Sequence, residues 1–521
     1  MIAMVLIGFS LSRRIKLASD FLIAGRKLGL LLTTATLAAV QLGAGVVMGG
    51  AEIGAQHGIW PGMWYGIGCG GGLILAGLLV AAKLREKKGY VPMDFFAQRF
   101  GERKCVRLWA WFSNIPSLLG IFVAQIMAAG TISAIFGLSY EQGVIISGVV
   151  IALYSVMGGM WGVVVTDLIQ LGIIVIGIPL VALIAFAKMG DAGAVTSAQL
   201  FSTPFIPKGM LSRAIFLIIP FLLSISVSYD AYMRYQSAKS EKVAKWGCIL
   251  GGIIVIFISF CVGCVGAVGK TLFPLVESKA VFPHMITETL PPVVAGIVVS
   301  ALLAAAMSSA NCLLISLSGT FSRDLYNKVF HPSAKLDDLK YAKVISRAVI
   351  VGALTLGILV AFRAKGILHT MIIFNYPFMG SMLVPLLGGV LWKRATSKGA
   401  IAAMLTGGII GVSFFLADQL GYAKGLLNID LGLFIAYAAS ALVFVAVSLF
   451  DNNQKFLRML HGSRGTVFSK RGSATPTHSR SDRCRSFVAS SQKFAKKTKF
   501  QKVLVKRAPL AAGGNKRRIK R

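Results

Sequence analysis

Acidic side chains are scarce in this 521-residue sequence, with 19 Asp and Glu against 54 Lys and Arg, and charged residues of either sign make up only 14% of it. Soluble domains are about a quarter charged, so most of this chain has too little charge to face water. Histidine is rarer still, at six residues. No cluster of His, Asp or Glu falls inside an apolar run, which argues against a membrane-embedded enzyme. The seven cysteines are odd in number and lie mostly in apolar segments, as small packing residues do and a disulfide framework does not. Cys261 and Cys264 have redox or metal spacing but no second Cys or His pair nearby, so they read as helix packing. The glycine run from Gly66 to Gly72 is not followed by Lys-Ser/Thr; it reads as close packing of helices rather than a phosphate loop. The alternation of a membrane-spanning strand is also missing, which removes a β-barrel.

What fills the sequence is hydrocarbon: 56% hydrophobic residues and a mean hydropathy of +0.75. Apolar runs of roughly 18 to 28 residues recur between short polar breaks, each long enough to cross about 30 Å of bilayer as a helix. The pattern predicts an all-α, polytopic membrane protein with about 12 transmembrane helices. Five fall within residues 29–187, five within 210–392 and two within 398–450. In the first group, Gln142 to Met157 and Trp161 to Ala187 are read as separate spans. Met1 to Leu11 is only about half a span, so residues 1–28 are expected to form a truncated N-terminal helix and a basic loop. A cleavable signal is not expected, because Arg13, Arg14 and Lys16 follow the apolar stretch instead of preceding it.

Lys and Arg collect in alternate loops, at 12–28, 83–104, 234–245, 323–343 and 393–398, while 137–142, 191–208 and 418–424 carry few charges. By the positive-inside rule the basic loops and the C terminus face the cytoplasm. The expected location is a plasma membrane, as in the bacterial inner membrane. Residues 451–521 carry 20 Lys and Arg against two Asp, in a Ser-, Thr- and Gly-rich sequence that predicts a disordered tail drawn to anionic lipid. A shifted reading frame is the other reading of its abrupt change in composition. Without a folded module or interleaved aromatics, a nucleic-acid partner is not expected.

Three places do not fit plain packing. In Thr36 to Gly50, Gln41 sits among small residues, and Gly43 and Gly45 weaken the helix by about 1 kcal/mol each. A break there frees backbone carbonyls that only a cavity, water or an ion satisfies. In the long run from Pro291, the carbonyl of Ala305 and the hydroxyls of Ser308 and Ser309 share one helix face, which suits a hard cation such as sodium. Serines in membrane helices also bond back to the preceding turn, and the triplet is open to both uses. Asp167 lies roughly 10 Å into its helix, where an isolated charge costs about 2 to 3 kcal/mol. It is either a functional carboxylate or an interfacial one paired with a loop Lys or Arg.

Several motifs together resemble the sodium:solute symporter family: Asp20 to Arg26 (DFLIAGR), Tyr154 to Trp161 (YSVMGGMW) with Thr166, Asp167 and Gln170, Asp230 to Lys239 (DAYMRYQSAK), Ala305 to Ser309, and Pro385 to Gly389 with Trp392 to Arg394. The resemblance runs in order from about Leu17 to Phe450. It implies a leucine-transporter-type fold, a 5+5 inverted repeat (29–187 and 210–392) with two additional C-terminal helices, the first helix of each repeat being broken at midplane. Those breaks fall at Gly43 to Gly45 and at Pro220 to Ser228. It implies a sodium site formed by Ala39, Leu42, Ala305, Ser308 and Ser309, with no other metal or cofactor. Asp167 matches an acidic residue that helps bind a second sodium in some relatives. This chain has Asn311 and Cys312 where those relatives carry hydroxyls, which counts against a second ion; Asp167 is expected as a cation relay or gate, with a second cation site as the other reading. Gln41, Gly43, Gln125 and Ser224 are the candidate lining of a substrate cavity. The implied activity is sodium-coupled import of a small organic solute (a sugar, an amino acid or a carboxylate) by alternating access. A substrate sensor on the same fold, without net flux, is the alternative.

Overall fold

The computed structural model describes residues 2–13, 15–192, 197–364, 366–422 and 429–468. The chain divides into two units, Met1–Gln454 and Lys455–Arg521. Beyond Phe468 the basic tail lies outside the described residues. Regular structure among those described is helical, apart from an isolated bridge between Leu28 and Ala238. After α1 (Ile2–Ser12) come α2 (Leu30–Gln41), α3 (Gly50–His57), α4 (Ile59–Leu79), α5 (Lys104–Ser133) and α6 (Tyr140–Ala192). The second set is α7 (Leu211–Ser224), α8 (Tyr229–Ser237), α9 (Glu241–Leu272), α10 (Pro292–Gly319), α11 (Ala342–Ala361) and α12 (Ile367–Leu391), followed by α13 (Ser397–Gln419) and α14 (Ile429–Phe468).

Among the described residues, eight helices are long and apolar enough to span a membrane, and eleven spans result when each bent pair counts as one. One of them, α6, has 53 residues, about 80 Å at 1.5 Å per residue. It turns at Gly159, where φ is 48° and ψ −152°. Only glycine takes such a conformation without strain, so α6 is two spans joined at that residue, matching the expected break between Met157 and Trp161. The count becomes twelve.

Each set of five opens with a bent pair. The α2 and α3 axes differ by 54°, and α7 with its short extension differs from α8 by 41°. The first bend follows Leu42, which leaves helical geometry with ψ 42°, and continues through one π-helical turn at Gly45–Gly49. The second is at Ser228, an extended residue at ψ 152°. Pro220 sits inside α7, two turns before that bend, where it removes a backbone donor.

Small residues bring these helices together. A Cβ on Gly66 of α4 would lie 1.7 Å from Ser259 Oγ and 2.4 Å from Ser259 Cβ on α9, and one on Gly70 would lie 2.7 Å from the Gly252 carbonyl. The glycine run is therefore a packing seam, since helix backbones approach this closely only where side chains are absent. Gly66→Ala is expected to cost about 1–3 kcal/mol by overpacking, seen as a lower Tm in detergent. Gly66→Ala/Ser259→Gly should recover part of that loss; no recovery would mean that the contact is not what limits stability.

Candidate functional site

The break after Leu42 exposes main-chain polar groups that other helices satisfy. The Ala44 N–H donates to Gln125 Oε1 on α5 at 2.7 Å. On the opposite side of the break, α10 brings up its serine pair. Ser308 Oγ lies 3.1 Å from both the Ala39 and the Ala305 carbonyl oxygens. Ser309 Oγ lies 3.3 Å from the Ala39 carbonyl and 2.8 Å from that of Val40. Gly43 makes the approach possible, because a Cβ there would fall 2.5 Å from Ser309 Oγ and 2.7 Å from Gln125 Oε1. All five oxygens belong to buried residues. Of the expected set, Ala39, Ala305, Ser308 and Ser309 are brought together. The described bonds to the serines include Val40 rather than Leu42, which is fully buried one residue past the end of α2.

Asp167 is fully buried on α6. Its Oδ2 accepts from Thr36 Oγ1 at 2.5 Å and from Cys312 Sγ at 3.5 Å. Thr36 Oγ1 also accepts from Arg234 Nε at 2.9 Å, so a guanidinium reaches the carboxylate through one hydroxyl. Arg234 Nη1 donates to the Asp230 carbonyl at 2.7 Å. Arg234 was counted with a basic loop by the sequence pattern; it is instead fully buried on α8.

Between the two breaks lies a cavity of ≈ 60 Å³. Gln41, Gly43, Gln125 and Ser224 all line it. Its other polar groups include Asn114, Asn375 and Asp230, which sequence reasoning did not single out. Gln41 Nε2 donates to Asp230 Oδ2 at 3.2 Å. A wider vestibule of ≈ 440 Å³ is lined by Glu52, Arg213 and His369, among others. Arg213 follows the 191–208 loop and His369 contacts Asp418, at the start of the 418–424 loop, both poor in basic residues.

At the ends next to the basic loops, the helices are tied by buried ion pairs. Arg107 Nη1 lies 2.5 Å from Asp324 Oδ1, Arg107 Nη2 lies 3.3 Å from Asp94 Oδ1, and Arg323 Nε lies 3.0 Å from Asp94 Oδ2. Tyr229 OH donates to Asp324 Oδ2 at 3.3 Å. The short helix Pro92–Phe100, the start of α5, the turn after α10 and the first residue of α8 thus meet in one cluster. Burial pushes the Asp94 carboxyl up, but the Arg323 and Arg107 guanidiniums outweigh it, aided by the Tyr90 N–H, and hold its pKa below the ordinary value.

The model of the sodium:solute symporter family matches residues 21–407. The sodium/pantothenate symporter of Haemophilus influenzae is 30% identical over 355 residues, covering 65% of this chain and 70% of its own length. The high-affinity proline transporter PutP of Bacillus subtilis is 27% identical, covering 82% and 94%, and the human high affinity choline transporter 1 is also 27% identical, covering 74% and 69%. A solved Na+-coupled sialic acid symporter, substrate-bound and outward-open, has the same fold, with a TM-score of 0.67 at 19% identity over 86% of this chain and 96% of that one.

Asp94→Asn takes from Arg323 its carboxylate and leaves Arg107 with Asp324 and Glu102; removing one member of a buried pair costs about 3–5 kcal/mol, and the Tm of this variant should fall accordingly. Because the Asp94 pKa is lowered on folding, its contribution is present above the unfolded value of about 3.9 and is lost as pH falls through the lower folded value. Wild type should therefore lose stability on acidification below about pH 4, and Asp94→Asn should lose less. Equal acid sensitivity of the two proteins would contradict this role.

Proposed function

Because this chain belongs to the sodium:solute symporter family, we propose that it is a sodium-coupled symporter that carries a small organic solute across the membrane by alternating access. The observation that supports this most is the meeting of Ser308 and Ser309 with the Ala39 carbonyl across the break in α2, at 3.1 and 3.3 Å. A hard cation of calcium's radius, which sodium resembles, takes oxygen ligands at about 2.3 to 2.6 Å. Neighbouring ligands at right angles around such an ion stand about 3.2 to 3.7 Å apart, close to the separations here. The donors are neutral hydroxyls and carbonyls, which suits a monovalent ion. We assign the ion to Ala39, Ala305, Ser308 and Ser309, with Leu42 or Val40 supplying a further carbonyl. Asp167, one hydroxyl away from Arg234, is assigned as a relay or second cation stop.

In this reading sodium ties α2 to α10 and steadies the break, and that favours the form open to the vestibule. Solute then enters the cavity between the two breaks. Inward rocking requires the Arg107, Asp94, Arg323 and Asp324 cluster to separate, and the ion leaves toward low cytoplasmic sodium. One charge moving through about 100 mV supplies about 2.3 kcal/mol, and a tenfold sodium gradient adds about 1.4 kcal/mol. Together they support a solute gradient of several hundred-fold, at about 1.4 kcal/mol per factor of ten.

The test is solute uptake by proteoliposomes as external sodium is varied. Ser308→Ala and Ser309→Ala should each raise the sodium concentration for half-maximal uptake about tenfold or more, the equivalent of about 1.4 kcal/mol. Unchanged sodium activation in both variants would remove the assignment. Solute binding without net accumulation would favour the sensor instead.

A further inference from the structure

Among the described residues, the central cavity is lined by one carboxylic acid, Asp230, and by no Lys, Arg or His. Asp230 is 8% exposed, and among the described residues it takes part in no ion pair within 4.0 Å. Its carboxylate accepts one bond, from Gln41 Nε2 at 3.2 Å. The nearby Arg234 makes no described bond to this carboxylate: its Nε donates to Thr36 and its Nη1 to the Asp230 main-chain carbonyl, and its Nη2 has no hydrogen-bond partner. A buried carboxylate without a cationic partner is costly, and this one faces the space between the two breaks.

At the two breaks, the groups described are set against an anion. Half-helix N-termini at a break are the usual seats for a negative group. In this chain the main-chain N–H of Ala44, at the start of the second half of the first broken span, donates to Gln125 Oε1 at 2.7 Å. At the other break, Asp230 itself occupies the first turn of α8. Asn114 Nδ2, buried on the cavity wall without a hydrogen-bond partner, is a neutral donor, enough for one substrate oxygen but not for an unaccompanied carboxylate.

Aromatic faces supply the rest of the chemistry. Tyr65 and Phe221 pack edge to face with centroids 4.6 Å apart, Tyr229 and Phe378 do so at 5.9 Å, and all four line the cavity. Rings around a buried carboxylate suit a cation with apolar substituents, which gains from both the negative charge and the ring quadrupoles. Resting on the reading of this cavity as the solute site, we propose that its cargo carries a positively charged head group, an alkylated ammonium seated between Asp230 and the Tyr65–Phe221 and Tyr229–Phe378 pairs. Zwitterions with such a head are included, their acid group meeting Asn114. A bare anion such as pantothenate is excluded.

The full-length protein, purified in detergent, is tested by thermal shift with three probes: choline, proline and pantothenate, each in sodium and in potassium. Choline or proline should raise the Tm of wild type, and pantothenate should not. Asp230→Asn, which keeps shape and hydrogen bonding but removes the charge, should weaken ammonium binding by about 10- to 100-fold, while Asp230→Glu retains part of it. A sodium-induced Tm rise retained in Asp230→Asn shows that the variant is folded; if it does not survive, Tyr65→Leu, which should bind choline about 10-fold more weakly, carries the test. Stabilisation by pantothenate, no stabilisation by either ammonium solute, or ammonium affinity unchanged in the variant overturns the head-group assignment. Ammonium binding that persists fully when potassium replaces sodium overturns the sodium coupling and leaves the head group standing.

Discussion

The structure depends on one contact, between the hydroxyls of two adjacent serines on α10 and the carbonyls at the end of α2. A helix interrupted in the middle of a bilayer leaves main-chain groups that lipid cannot satisfy, each costing several kcal/mol. Here the cost is met by other helices. Gln125 takes the Ala44 N–H just past the break, Ser308 and Ser309 lie on carbonyls before it, and Gly43 keeps the space between them open. The groups that satisfy the break are also those that can ligate an ion. In the proposed assignment, stability of the broken helix and recognition of sodium are the same interaction, which would give the ion leverage over conformation.

Buried charge is arranged around that contact in two layers. At membrane depth, Asp167, Thr36 and Arg234 form a chain between α6, α2 and α8, and Asp230 faces the cavity from the start of α8. This links both broken spans by polar bonds without placing a free cation in the cavity. Nearer the basic loops, Arg107, Asp94, Arg323 and Asp324 tie α5, the turn after α10 and the Pro92–Phe100 helix together. Such ion pairs add little stability when complete and much instability when split. That asymmetry suits a closure that must be firm yet reversible, with the vestibule at the other end of the same bundle.

Much of this was legible in the sequence. The lengths of the apolar runs placed the spans, with the fourth ending at Met157 and the fifth starting at Trp161, and small residues with Gly43 and Gly45 marked the first break. The spacing of Ala305, Ser308 and Ser309 put their oxygens on one face because a helix repeats every 3.6 residues. Local periodicity does not reveal what a face meets, so the choice between back-bonding and a cross-helix contact waited for α2; Ser308 does both, to Ala305 and to Ala39. The polar stretch from Asp230 to Lys239 read partly as loop, since three charges and two tyrosines offer no apolar stripe. Tertiary burial decides it: Tyr229, Tyr232, Arg234 and Tyr235 are nearly or fully buried. The role of Asp230 was hidden for the same reason, because an acid near a predicted membrane surface looks solvated until the helix around it is placed.

The account stands most directly on where the ion binds. A high-resolution structure determined in saturating sodium should show a cation within about 2.3 to 2.6 Å of the Ala39 and Ala305 carbonyls and the Ser308 and Ser309 hydroxyls, lost when potassium replaces sodium. A sodium ion found away from these four oxygens, or density there that is the same in both salts, would contradict it.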